Sequence, residues 1–154
     1  MLHRHQIPAS SLAIEIKESV LIVADKQVMK TIQQLHTAGV KVALDDFGTG
    51  YSSLTSLHHS HIDMLKIDGS LIQTLANDNN SAILSAILTM ADALNLKVIA
   101  EGVETAEQLA YLTKVRSVLI QGFAFSPALP PEQAIIYSPQ AEPNRTPAKD
   151  PTAC

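Results

Sequence analysis

A set of polar residues in this sequence shares one kind of position, the end of a short apolar run. Glu15 lies in Leu12-Ala13-Ile14-Glu15-Ile16, and Asp45 and Asp46 follow Val40-Lys41-Val42-Ala43-Leu44. Lys66 and Asp68 close Met64-Leu65-Lys66-Ile67-Asp68, Glu101 follows Lys97-Val98-Ile99-Ala100, and Gln121 follows Val118-Leu119-Ile120. Glu15, Asp45 and Asp46 are hard carboxylates suited to Mg²⁺ or Mn²⁺, and no thiolate or His-x-x-x-His pattern favours zinc. The adjacent pair Asp45-Asp46 can ligate one ion and bridge toward another, the arrangement of two-metal phosphodiester hydrolysis. Taken singly, each residue has a plainer role. An acidic residue after a strand caps a helix or forms a turn, Lys66 can snorkel, and Asp68-Gly69 is an ordinary turn pair. Recurrence at every strand end is what argues for a shared site. His58, His59 and His61 sit apart from those ends and read as a solvated turn.

These groups meet only if the strands carrying them point the same way. Apolar runs of strand length do alternate with amphipathic stretches from Leu12 to Ile136. Asp25 to Ala38 places Val28, Ile32 and Leu35 at helical spacing and ends at Gly39, a C-terminal cap. A short helix is predicted over Ser52 to His58. The longest helix is predicted over Ser81 to Leu94, with Ile83, Leu84, Ile87, Leu88 and Ala91 on one face. A further helix is predicted over Ala106 to Lys114, and Pro131 starts one through Ile136. Strands that are apolar throughout and alternate with helices indicate a parallel sheet, either open and doubly wound or closed as a (β/α)₈ barrel. No Gly-x-Gly-x-x-Gly follows the first strand, which counts against a dinucleotide fold. In a barrel, chemistry sits on the C-terminal rim, where these polar residues fall.

Composition bounds the alternatives. The chain has 154 residues, 46% hydrophobic and 17% charged, in the range of globular domains. A net charge of −4 argues against a DNA-backbone binder. Its one cysteine, Cys154, excludes an internal disulfide. No apolar run reaches the ~20 residues of a membrane span, and the polar start Met1-Leu2-His3-Arg4-His5-Gln6 is unlike a signal peptide. A cytoplasmic location is therefore expected.

The segment Asp45-Asp46-Phe47-Gly48-Thr49-Gly50-Tyr51-Ser52-Ser53-Leu54 resembles the EAL family of bacterial cyclic di-GMP phosphodiesterases. Leu65-Lys66-Ile67-Asp68, Ala100-Glu101-Gly102-Val103-Glu104-Thr105 and Gln121-Gly122-Phe123 extend the similarity in order and spacing. The fold implied is α/β, about five parallel βα units of a partial (β/α)₈ TIM-type barrel. By this resemblance Glu15 and Asp45 would be metal ligands, with Asp46 serving a second Mg²⁺ or Mn²⁺. Lys66 would contact the attacking water and the scissile phosphate, and Glu101 would act as base. Glu18 would brace the loop from Phe47 to Tyr51, which the family uses in dimerisation, so a homodimer through the loop after Asp46 is implied. Gln121 would lie near the metal and water cluster, with Asp68 and Glu104 in support.

The same resemblance places the chain in the C-terminal portion of such a domain. The namesake Glu-Ala-Leu segment, an Asn ligand and a substrate-contacting Arg have no counterpart in it. A barrel of this class takes about 250 residues. Residues 1–137 are therefore expected to form a partial EAL domain, and 138–154 a disordered Pro-rich tail. Lys17 stands where the family has Thr, and Pro127-Ala128 replaces a basic residue followed by proline. The expected function is metal-dependent hydrolysis of cyclic di-GMP to linear pGpG in second-messenger signalling. The alternative is a catalytically inactive cyclic di-GMP receptor. By itself the chain is expected to be inactive, because part of the family's site is not in it.

Overall fold

The computed structural model describes residues 2–48, 57, 60–75, 78–115 and 118–137. Five strands, β1 (Ala13–Lys17), β2 (Lys41–Phe47), β3 (Met64–Ile67), β4 (Lys97–Ala100) and β5 (Leu119–Ile120), pair in chain order, and every pairing is parallel. Between them lie α1 (Glu18–Ile22), α2 (Lys26–Thr37), α3 (Gly69–Gln73), α4 (Asp78–Ala93) and α5 (Ala106–Val115), and α6 (Pro131–Ile136) follows β5. The parallel order agrees with the expected (β/α) architecture. The short helix expected over Ser52 to His58 lies outside the described residues except for Leu57, which is helical and buried. The loop 49–56, where the resemblance places a dimer contact, and the tail 138–154 also lie outside them.

Local chemistry sets the helix limits. Asp25 caps α2, accepting the Gln27 and Val28 N–H groups at 2.9 Å each. At its other end Gly39 adopts φ +86°, and the Val40 N–H reaches back to the Leu35 carbonyl at 3.1 Å, a Schellman closure. Thr105 and Gln108 form a reciprocal cap on α5. The Gln108 N–H donates to Thr105 Oγ1 at 3.2 Å, and Gln108 Oε1 accepts the Thr105 N–H at 3.0 Å.

Strand parity divides the sheet into two faces. Val42, Leu44, Leu65, Ile67, Val98 and Ala100 point to the helices and pack in one core with Ile32, Leu84, Leu88, Ala91 and Leu112. Ile83, expected on the same face of α4, is 47% exposed instead. The opposite parity carries Glu15, Ala43, Asp45, Met64, Lys66, Ile99 and Leu119 onto the other face, and register sets Glu15 beside Ala43 and Lys66 beside Ile99.

Two departures from the sequence expectation matter for the site. β2 runs to Phe47 rather than stopping at Leu44, so Asp45 and Asp46 belong to the strand and not to the loop after it. The β2–β3 register shifts between Leu44 and Phe47, and Asp46 has φ +56°. Aspartate tolerates this left-handed conformation better than most residues, and the extra residue bends the strand end.

Candidate functional site

Four strands deliver charged groups to one point at the C-terminal end of the sheet. At its centre is Lys66, whose side chain is only 6% exposed. Its Nζ lies 2.6 Å from Glu101 Oε1, 2.8 Å from Glu15 Oε2 and 3.1 Å from Asp45 Oδ1. One ammonium thus joins β1, β2 and the residue after β4 to β3. Burial disfavours its charge, but the hydrogen bonds to Glu101 and Glu15 and the closeness of Asp45 outweigh that. They hold the Lys66 pKa well above its ordinary value. Lys66 is therefore a fixed cation and not a base.

The bend at Asp46 has a chemical result. Successive residues of a regular strand face opposite sides, which would separate Asp45 from Asp46. With Asp46 left-handed, Asp45, Asp46 and Glu101 each offer a carboxylate oxygen within 4.8 Å of the others. That spread suits a divalent ion with oxygen ligands at about 2.0–2.6 Å. Asp45 Oδ1 is buried and pairs only with the Lys66 ammonium among the described contacts, at 3.1 Å, so a carboxylate oxygen with more than one lone pair can still accept another cation. The donor set is all carboxylate oxygen, which fits Mg²⁺, Mn²⁺ or Ca²⁺ rather than a soft metal.

Lys17, the last residue of β1, places Nζ 3.0 Å from Asp46 Oδ2. The Asp46 hydrogen bond and charge raise its pKa. The next residue, Glu18, is 3% exposed, and its Oε2 accepts the Gly48 N–H at 3.2 Å. Glu18 therefore ties the β1–α1 turn to the end of β2, where Gly48 has φ +101°.

The structure brings together Glu15, Asp45, Asp46, Lys66 and Glu101, with Glu18 beside them. Asp68 is used locally: it caps α3, accepting the Ser70 N–H at 2.9 Å and the Ser70 hydroxyl. Glu104 is exposed, and its N–H donates to Gln108 Oε1 at 2.8 Å. Gln121 is exposed one residue beyond β5, with its backbone bonded to Ala100 and Val103. Sequence reasoning missed the glycine contacts that seat these groups. Gly69 packs on Gly102, and Gly122 packs on the Val103 backbone. The Gly69 and Gly122 signals were present as glycines directly after Asp68 and Gln121.

The model of the EAL domain matches residues 1–128, and the chain belongs to the EAL domain family. It is 42% identical over 130 residues to the cyclic di-GMP phosphodiesterase NbdA of Pseudomonas aeruginosa, covering 84% of this chain and 17% of that protein. Among solved structures, a PaMucR phosphodiesterase in complex with c-di-GMP superposes with TM-score 0.82 at 41% identity, covering 86% of this chain and 54% of that one. A manganese and cyclic di-GMP complex of Klebsiella pneumoniae BlrP1 superposes with TM-score 0.76 at 35% identity, covering 82% of this chain and 32% of that one. The chain thus spans a minor part of the curated relative and about half of the first of these solved chains. Its five parallel strands correspond to part of the EAL barrel. Among the described residues, no helix is long and apolar enough to cross a membrane.

Proposed function

We propose that this chain carries the metal- and phosphate-handling rim of a domain that hydrolyses cyclic di-GMP to linear pGpG. The observation that supports this is the convergence of the Asp45, Asp46 and Glu101 carboxylates, within 4.8 Å of one another, beside the buried Lys66 ammonium. Asp45 and Asp46 would hold a divalent ion, with Glu15 as a further carboxylate and Glu101 holding a water of that ion. A bound Mg²⁺ or Mn²⁺ supplies Lewis-acid stabilisation of phosphate charge and acidifies water.

The chain's own groups divide the remaining work. Lys66, held as a cation, sets positive charge against the scissile phosphate as charge develops on it. Glu101 accepts the proton of the attacking water. Glu18 holds the end of β2 in place through the Gly48 N–H. In the reaction the water oxygen bonds to phosphorus, one P–O bond to a ribose 3′ oxygen breaks, and a proton ends on that leaving oxygen. Residues 1–137 contribute five βα units. A (β/α)₈ barrel has eight, and turnover needs the other three beside these.

The first test is metal binding. Calorimetry with Mn²⁺ on the chain and on Asp45→Ala should show heat of binding that the substitution largely removes. Identical heats from the two proteins would contradict the site.

A further inference from the structure

Two ammonium groups, not one, bracket the carboxylates of this rim. Lys66 approaches from the sheet face, is buried, and is locked by three carboxylates. Lys17 ends β1 on the same face, but its side chain is 68% exposed. Register places its Cα directly beside that of Asp45, and its Nζ reaches past to Asp46 Oδ2 at 3.0 Å. The left-handed turn at Asp46 is what brings that carboxylate within reach of both Lys17 and the Asp45–Glu101 pair. An exposed pair of this kind is weak and screened, so Lys17 can leave as Lys66 cannot.

We propose that Lys17 is a tethered counter-ion on Asp46 that competes with a divalent cation for the rim and so sets its metal affinity. The inference rests on the functional reading above and deepens it. A cation at Asp45, Asp46 and Glu101 must either share the Asp46 carboxylate with the Lys17 ammonium or displace it. Sharing brings a monovalent and a divalent charge to roughly 5 Å, a repulsion worth about tenfold in affinity even at the dielectric of water. Displacement sends an unbranched side chain into solvent, which its exposure permits. In either case metal affinity depends on a residue that need not ligate the metal.

The test is titration of the full chain with Mn²⁺, free Mn²⁺ being read by its electron paramagnetic resonance signal. Four proteins are compared: wild type, Lys17→Met, Lys17→Arg and Asp45→Ala. Lys17→Met should tighten Mn²⁺ by about two- to fivefold, the worth of an exposed ion pair that the metal must displace, and Lys17→Arg, which keeps the charge, should titrate as wild type. The gap between wild type and Lys17→Met should narrow at 1 M salt, where the screening length falls to about 3 Å; a packing role for the side chain would leave it unchanged. If Asp45→Ala weakens binding while Lys17→Met fails to tighten it, the counter-ion inference is overturned and the metal site stands. If Asp45→Ala also titrates as wild type, the metal reading fails and the inference falls with it. Far-ultraviolet circular dichroism confirms that each variant has the wild-type fold.

Discussion

Gly69 and Gly102 face each other so closely that a Cβ on Gly102 would lie 3.1 Å from the Gly69 Cα. The two residues begin the segments after β3 and β4, immediately beyond Asp68 and Glu101. Their contact draws together the strand ends that carry Lys66 and Glu101. Gly102 also has φ +63°, where an L side chain is strained. Gly102→Ala should therefore lower stability by about 1–2 kcal/mol in urea denaturation and weaken Mn²⁺ binding as Glu101 shifts. Gly69→Ala meets its neighbours at 3.4 Å or more and should cost less.

Gly122→Ala should be the most damaging of the three. A Cβ there would sit 2.1 Å from the Val103 carbonyl oxygen and 2.4 Å from its nitrogen, and backbone atoms cannot rotate aside. Those same Val103 groups bond to Gln121 and Ala124, so relieving the clash breaks pairing at the β4–β5 edge. A loss of about 3 kcal/mol, or failure to fold, is the expected outcome. A denaturation midpoint equal to that of wild type would show that the close approach is not required.

Lys66→Met removes the one cation shared by Glu15, Asp45 and Glu101. Breaking a buried charge pair from one side costs about 3 kcal/mol, less here because Glu15 is half exposed. Thermal unfolding should show a drop that Mn²⁺ restores by more degrees than it adds to wild type, since a divalent ion can neutralise the same carboxylates. The folded-state pKa of Lys66 lies above the unfolded value, so its contribution is fully present below that unfolded value near 10.4 and is lost only as pH rises through the folded one. Wild type should therefore show no decline from this group at neutral pH.

Acid sensitivity should come from the other end of the sheet. Asp63 accepts Lys41 Nζ at 2.7 Å and the Val42 N–H at 3.0 Å, with His36 Nε2 3.9 Å away. Burial opposes ionisation, but the Lys41 and Val42 bonds outweigh it and hold the Asp63 carboxyl below the usual range. Because the folded pKa is depressed, the stabilisation is complete above the unfolded value near 3.9 and disappears as pH falls through the folded one. Asp63→Asn should lose about 1–2 kcal/mol at neutral pH and flatten the acid limb of a melting-temperature profile. A mutant profile parallel to wild type would contradict this.

Much of the frame is legible from apolar patterning alone. The limits of β3 and β4 coincide with runs bounded by charged residues, and α2 is bracketed by Asp25 and Gly39. α1 escaped because its cap position is Lys17, which makes no side-chain cap bond, and Ser19 to Ile22 reads as strand or helix equally well. The rim itself was legible as residue types at strand ends. What patterning cannot supply is the conformation of single residues. The left-handed Asp46 decides that adjacent carboxylates converge, and register decides that Lys17 reaches Asp46. Asp68 followed the plainer expectation for an acidic residue after a strand, its side chain capping α3.

The most direct measurement is release of linear pGpG from cyclic di-GMP, with Mg²⁺ or Mn²⁺, by the chain joined in frame to the complementary barrel strands of a solved EAL relative. The expected result is metal-dependent release that a chelator abolishes. Lys66→Ala or Glu101→Ala, each made in the joined protein, should lower the rate by about 10² or more. Tight binding of cyclic di-GMP with no release, in a protein that binds Mn²⁺ and melts cooperatively, would contradict hydrolysis and leave a receptor.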